Sequence, residues 1–176
     1  NQVQNKDPFL FSIKNQLETS LSKTRKNILL IPGASHKSKC YPVAKLAELS
    51  TLIDANFLVV WGNSDEKLLA NRVKKLSPNV NICNKLSINE LILLTSEVDL
   101  VIGPDTGPTH ISWALNIPSI TIFGPTPGYR NSCATIQNHI IQSQSIVNPY
   151  KIDKNDYSIK DIEVSEIIKI AKELLH

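Results

Sequence analysis

Asp99-Leu-Val-Ile-Gly-Pro-Asp105-Thr-Gly-Pro-Thr-His110 runs directly into Ile111-Ser-Trp-Ala-Leu115. The apolar run Val98 to Ile102 predicts a short buried strand, Gly103-Pro104 a turn, and Asp105-Thr106-Gly107 the start of a helix over 106–116. Ile111, Ala114 and Leu115, at three- and four-residue spacing, are the expected sheet-facing stripe of that helix. A strand that passes through glycine into a helix N-terminus leaves unpaired N–H groups pointing outward, at the positive end of the helix dipole. That is an anion site. The same residues also read as an ordinary strand–turn–helix with Asp105 or Thr106 as N-cap, so the other loops must decide.

Outward from this segment the pattern is regular. Asn27 to Ile31, Phe57 to Trp61, Val80 to Ile82 and Ser119 to Phe123 read as strands, and His139 to Ile141 as an edge strand. Helical spacing links Val43, Leu46, Leu49 and Ile53, with Pro42 at the start. It also links Leu68, Leu69, Val73 and Leu76 from Ser64 onward, then Ile88 to Leu94, and finally Ile162, Ile167, Ile170 and Leu174. Residues 124–137 read as a long loop and 148–160 as irregular. Phe9, Leu10, Ile13 and Leu17 predict an N-terminal helix, with residues 1–25 a helix and linker ahead of one domain over 26–176. The central strands are continuous apolar runs, which suits a mostly parallel sheet covered on both faces. The expected fold is a doubly wound, Rossmann-like α/β domain, which binds ligands outside the carboxyl ends of its strands.

The chain has 176 residues, 41% hydrophobic and 20% charged, enough for one ordinary core. No run approaches the roughly eighteen apolar residues of a membrane span, and the polar start is not a signal peptide. A net charge of +3 with no basic block interleaved with aromatics argues against nucleic acid, and leans weakly toward an anionic ligand or membrane surface. The three cysteines, Cys40, Cys83 and Cys133, are too widely spaced for a metal site or disulfide framework, as in a reducing, cytoplasmic compartment. The chain lacks methionine even at position 1, which suggests a piece of a longer protein.

The loops that follow strands carry the chemistry. Pro32 to Tyr41 offers Gly33, the Ser35 hydroxyl and the ammonium groups of Lys37 and Lys39, suited to a phosphate, though without the Walker spacing. In Trp61-Gly-Asn-Ser-Asp-Glu66, Glu66 is either the third residue of a capping box on Asn63 or an acceptor for ribose hydroxyls. Asn84 to Ser87 brings Leu86 as an apolar wall, while Ser87 and Glu90 fit a second capping box. Thr106, Gly107 and His110 suit a pyrophosphate, His110 equally a satisfied core histidine. Gly124-Pro-Thr-Pro-Gly-Tyr-Arg130 adds Thr126 and Arg130 as secondary candidates, Arg130 reading first as a solvated loop tip and second as a partner for a phosphate or an acceptor carboxylate. The G-x-S-x-G, H-E-x-x-H, C-x-x-C and G-x-G-x-x-G motifs are all absent.

Gly103-Pro-Asp-Thr-Gly-Pro-Thr-His110, then Ala114-Leu-Asn-Ile-Pro118 and Phe123-Gly-Pro-Thr126, resembles the C-terminal, donor-binding domain of the bacterial lipopolysaccharide heptosyltransferases. These are a family of GT-B glycosyltransferases, and the likeness is closer to heptosyltransferase I than to II. Lys39-Cys-Tyr41-Pro42 and Trp61-Gly62 through Glu66 are similar to two further motifs of that family, so the resemblance covers about residues 26–130. It implies a donor site for ADP-L-glycero-β-D-manno-heptose. Ser35 and Lys39 would contact phosphates or heptose, Glu66 the ribose and Leu86 the adenine. Asp105 would meet the heptose hydroxyls, and Thr106, Gly107 and His110 the pyrophosphate.

The resemblance also implies an inverting transfer to the Kdo and inner core of lipopolysaccharide. Its general base and acceptor site would lie in an N-terminal domain, so this chain would hold no catalytic residue and be inactive alone. No cofactor and no metal would be needed, and the whole enzyme would be cytoplasmic with room for peripheral inner-membrane contact. Ala34-Ser35, Pro108 and Pro127-Gly128 depart from the family's usual residues. Two alternatives remain open: a GT-B domain for another nucleotide sugar such as a UDP-sugar, and a non-catalytic nucleotide-binding module.

Overall fold

The computed structural model describes residues 20–176, so the helix expected around Phe9 to Leu17 lies outside the described residues. Six strands form one sheet: β1 (Asn27–Leu30), β2 (Asn56–Val59), β3 (Val80–Ile82), β4 (Leu100–Pro104), β5 (Ser119–Phe123) and β6 (Asn138–Gln142). Six α-helices accompany them: α1 (Val43–Leu52), α2 (Ser64–Leu76), α3 (Ile88–Ser96), α4 (Gly107–Ala114), α5 (Gly128–Asn131) and α6 (Val164–Leu175). Single 3₁₀ turns occur at Lys37–Lys39 and Ser158–Asp161.

The strand order is β3-β2-β1-β4-β5-β6, every neighbouring pair parallel. β1 and β4 are adjacent, with Ile28 opposite Leu100 and Leu30 opposite Ile102. The chain winds outward in one direction from β1 and in the other from β4. Their following loops diverge, which leaves a crevice at the carboxyl edge. The buried runs predicted parallel strands correctly because both faces are covered. Ile28, Leu30, Phe57, Val59 and Ile102 pack toward α1, α2 and α6, whereas Leu29, Leu58, Val60 and Val101 pack toward α3.

Two helical stripes differ from expectation. In α2 the buried residues are Ala70 and Val73, while Leu68 and Leu76 are exposed, because the packed stripe centres on Val73 and turns Leu68 outward. In α4 the buried face is Thr109 and Ser112, and Ala114 and Leu115 are exposed. Both hydroxyls are satisfied locally: Thr109 Oγ1 donates to the Pro104 carbonyl at 2.8 Å and Ser112 Oγ to the Thr109 carbonyl at 2.6 Å. Burying them therefore strands no polar group, and their small size lets α4 sit close on the sheet. Gly103 is required for that approach. A Cβ there would lie 2.7 Å from the Ile31 Cβ and 3.0 Å from Thr109 Oγ1. Asn116, at φ 55°, then ends the helix in a left-handed residue.

The loop expected over 124–137 contains the short helix α5, and the irregular stretch over 148–160 ends in the second 3₁₀ turn. Both are tied to the site. Gln142 accepts from the Gly128 N–H at 2.7 Å and donates to the Gly124 carbonyl at 2.9 Å. Ile159 packs where a Gly124 side chain would stand, 2.7 Å from its would-be Cβ. The Ile162 carbonyl accepts from both Tyr41 Oη, at 2.9 Å, and Lys45 Nζ, at 2.7 Å, and so anchors the first loop and α1.

Candidate functional site

The loops after β1, β2, β3 and β4 surround a cavity of about 230 Å³. Ile31, Val60, Trp61, Leu86, Leu91 and Pro108 make its apolar walls, and Gly33, Gly62, Glu66 and Thr106 complete the lining. At less than the ~300 Å³ of a typical drug-sized site, it fits one planar ring system, with the rest of a ligand lying along the sheet edge.

Glu66 stands at the polar end. Its backbone N–H donates to the Asn63 side chain at 3.0 Å, so the cap half of the expected box is present. The carboxylate does not return to the Asn63 N–H: Oε2 accepts instead from Gly62, one residue earlier, at 2.6 Å. That reach lays the side chain over Gly33, whose would-be Cβ would collide with the Glu66 Cγ. Gly33 therefore serves as a seat for Glu66. By contrast, the Ser87–Glu90 box closes in both directions, so Glu90 is occupied with capping α3.

Beside the cavity lies a charged cluster. Asp105 Oδ2 accepts from Lys39 Nζ at 2.8 Å and Oδ1 faces His110 Nε2 at 3.0 Å, with the Lys39 and Asp105 side chains only 11% and 6% exposed. Burial by itself would push the Asp105 carboxyl up. The Lys39 ammonium, with help from His110 and Thr126, outweighs burial and holds it below the ordinary carboxylate value. An ionised carboxylate only accepts, so His110 Nε2 bears a proton in this contact. The His110 ring is part-exposed rather than a core histidine. Thr126 is buried, and its hydroxyl faces Asp105 without closing a hydrogen bond of normal geometry.

The start of α4 joins the two regions. Thr106 is the N-cap by backbone position, but its side chain makes no cap hydrogen bond, and Asp105 is turned away to Lys39 and His110. The ordinary side-chain cap among the sequence readings is thus absent, and the helix start stays open. Gly107, the first helical residue, has nothing within 4 Å of a would-be Cβ. Nothing in the fold demands glycine there; open space in front of it does suit a ligand. Gly107→Ala is expected to leave the melting temperature unchanged, or slightly raised through helix propensity, while weakening anion binding at least about tenfold through a steric block worth at least about 1.4 kcal/mol. Calorimetric titration beside a thermal melt separates the two effects.

Of the residues singled out by sequence, Glu66, Leu86 and Thr106 line the cavity, Lys39, Asp105, His110 and Thr126 form the adjoining cluster, and Gly107 opens between them. Ser35 is exposed on the first loop. Arg130 does not join them: exposed on α5, its guanidinium donates to the Pro149 carbonyl. Trp61, Val60 and Pro108 were missed as cavity walls. Trp61 is held by its Nε1–H donating to the Cys83 carbonyl at 2.8 Å, with Lys67 over its ring at 4.6 Å. Its place at the carboxyl end of the expected strand Phe57 to Trp61 was the available signal. Among the described residues no group of three or more His, Cys, Asp or Glu side chains could gather a metal ion, and no helix is long and apolar enough to cross a membrane.

An apolar slot, an enclosed lysine and an open helix start meet at the switch point of a parallel, doubly wound sheet, the place where domains of this class take their ligands. The chain belongs to glycosyltransferase family 9 (heptosyltransferase), whose model matches residues 4–157. It is 42% identical to lipopolysaccharide heptosyltransferase 1 of Campylobacter coli over 94% of this chain and 53% of that protein. Among solved structures it is similar to a family 9 glycosyltransferase from Veillonella parvula, with TM-score 0.79, 18% identity, and coverage of 96% of this chain and 52% of that one. It is also similar to the E. coli heptosyltransferase WaaC with ADP, with TM-score 0.72, 19% identity, and coverage of 90% and 47%. The chain spans about half the length of the curated relative it matches.

Proposed function

We propose that this chain binds the ADP-heptose donor of an inverting heptosyl transfer to the inner core of lipopolysaccharide. The observation that carries the reading is the enclosed Lys39–Asp105 pair, with the part-exposed His110 beside it, set against the apolar slot at the β1/β4 crevice. The family supports it, and the WaaC structures were obtained with ADP and with ADP-2-deoxy-2-fluoro heptose.

In this reading the adenine enters the slot against Leu86 and Trp61, and the ribose hydroxyls donate to Glu66. The diphosphate lies across the N–H groups at Thr106 and Gly107, with the Lys39 ammonium and the His110 ring as side-chain partners and Ser35 as a hydroxyl donor. Asp105 accepts from heptose hydroxyls, with Thr126 beside it. An acceptor hydroxyl attacks the anomeric carbon, its proton passes to a carboxylate outside this chain, the bond to the diphosphate oxygen breaks, and ADP leaves. Lys39 and the helix start neutralise the departing charge, so no metal is invoked. The reaction would take place at the cytoplasmic face of the inner membrane.

The test is thermal unfolding with added nucleotide. Millimolar ADP is expected to raise the melting temperature by several degrees at about a hundredfold excess over its dissociation constant, equivalent to about 2.7 kcal/mol. EDTA should leave that shift intact, and NAD should give none. A larger shift with UDP than with ADP would move the donor to another nucleotide sugar, and no shift with either would overturn the reading.

A further inference from the structure

Trp113, in the helix that continues the Asp105-Thr-Gly-Pro-Thr-His110 stretch, was given no role there, yet it touches the charged cluster. Its ring lies against His110 with centroids 4.3 Å apart and planes 22° from parallel. The two residues are three apart on α4, so they share a helix face. His110 is thereby held on two sides: one face rests on the indole and Nε2 points to Asp105 Oδ1 at 3.0 Å. Together these contacts leave Nδ1, with no partner among the described residues, as the free nitrogen of the ring.

We infer that Trp113 is a positioning residue for phosphate recognition, a stacking platform that fixes the rotation of the His110 ring so that Nδ1 faces the ligand. The inference rests on the donor-binding reading above. For Nδ1 to donate to a phosphate while Nε2 donates to Asp105, the ring must carry both protons, and a planar cation is well accommodated on an indole face. Without the platform His110 can rotate away from Asp105, and part of the binding free energy goes into ordering it again. Nothing on the inner face of α4 does this job, since Thr109 and Ser112 are occupied with their own carbonyl bonds.

Calorimetric titration with ADP across five forms of the chain tests this: native, Trp113→Leu, Trp113→Phe, His110→Ala, and His110→Ala with Trp113→Leu. Trp113→Leu is expected to weaken ADP binding about three- to fivefold, the loss of one stacked cation contact, while Trp113→Phe, which keeps an aromatic face, stays within about twofold. In a His110→Ala background the Trp113→Leu change should have no further effect, whereas a merely structural role for the indole would persist there. Proton NMR gives a reading that needs no ligand. The His110 Cε1–H resonance, displaced by the indole ring current in the native chain, should return toward its free position in Trp113→Leu.

Unchanged ADP affinity in Trp113→Leu overturns the inference, as does an equal loss with and without His110. If Trp113→Leu does not fold, Trp113→Phe and the ring resonance decide: an undisplaced His110 signal in the native chain overturns it. Failure of ADP to bind the native chain would instead strike the donor-binding reading.

Discussion

Replacing Lys39 with methionine is expected to cost about 3 kcal/mol of stability, the usual penalty for removing one partner of a buried ion pair, and to remove detectable ADP binding. The side chain that remains, Asp105, is 6% exposed and would keep only the His110 ring nitrogen as a side-chain partner at normal hydrogen-bond distance. Urea unfolding measures the first effect and calorimetry the second. A double variant, Lys39→Met with Asp105→Leu, should recover most of the stability and none of the binding, because an apolar pair of similar volume no longer strands a charge. The pH dependence follows from the same contact. Asp105 titrates below its ordinary 3.8, so the stabilisation is fully present above 3.8 and is lost as pH falls through the lower, folded-state value. The gap in unfolding free energy between native chain and Lys39→Met should therefore narrow on acidification below 3.8. A gap that stays constant there would assign the stability to packing of the lysine stem.

Gly103→Ala carries the second large effect. The added methyl would meet the Ile31 Cβ at 2.7 Å and Thr109 Oγ1 at 3.0 Å, so β1 and α4 must separate. Overpacking of this kind costs about 1–3 kcal/mol. Here the strain falls on the two elements that border the crevice. Stability and ADP affinity should fall together, in contrast to Gly107→Ala, which is expected to spare stability. Retention of native affinity in Gly103→Ala would mean that the spacing of α4 from the sheet does not set the site.

The architecture was legible because it rests on burial. Runs such as Ile28 to Leu30 and Phe57 to Val59 are fully enclosed, and only a sheet covered on both sides encloses strands that way. The face of α4 was not legible, because hydrophobic spacing cannot register hydroxyls that bond to their own helix: Ile111, Ala114 and Leu115 formed the better stripe, and Thr109 and Ser112 took the interior. The site was legible in its residue types and not in its pairings. Asp105 in the loop after β4 and Lys39 in the loop after β1 are sixty-six residues apart, and their contact follows from β1 lying beside β4. Glu66 illustrates the same point locally, since either reading of the carboxylate fits its spacing and only the geometry shows it bonded to Gly62 while lining the cavity. Arg130 suits an anion by type and a solvated loop tip by context, and the structure has it exposed and bonded to the Pro149 carbonyl.

The Ile162 carbonyl holds Tyr41 and Lys45 across more than a hundred residues of chain. During synthesis the strands from β1 to β5 can pair as they emerge, but the loop bearing Lys39 waits for its last anchor until the residues around Ile162 have left the ribosome. The first loop is thus fastened late, after the strands have paired, and a nascent chain stalled before that point would carry a sheet with α6 missing from one face and with that loop unfastened.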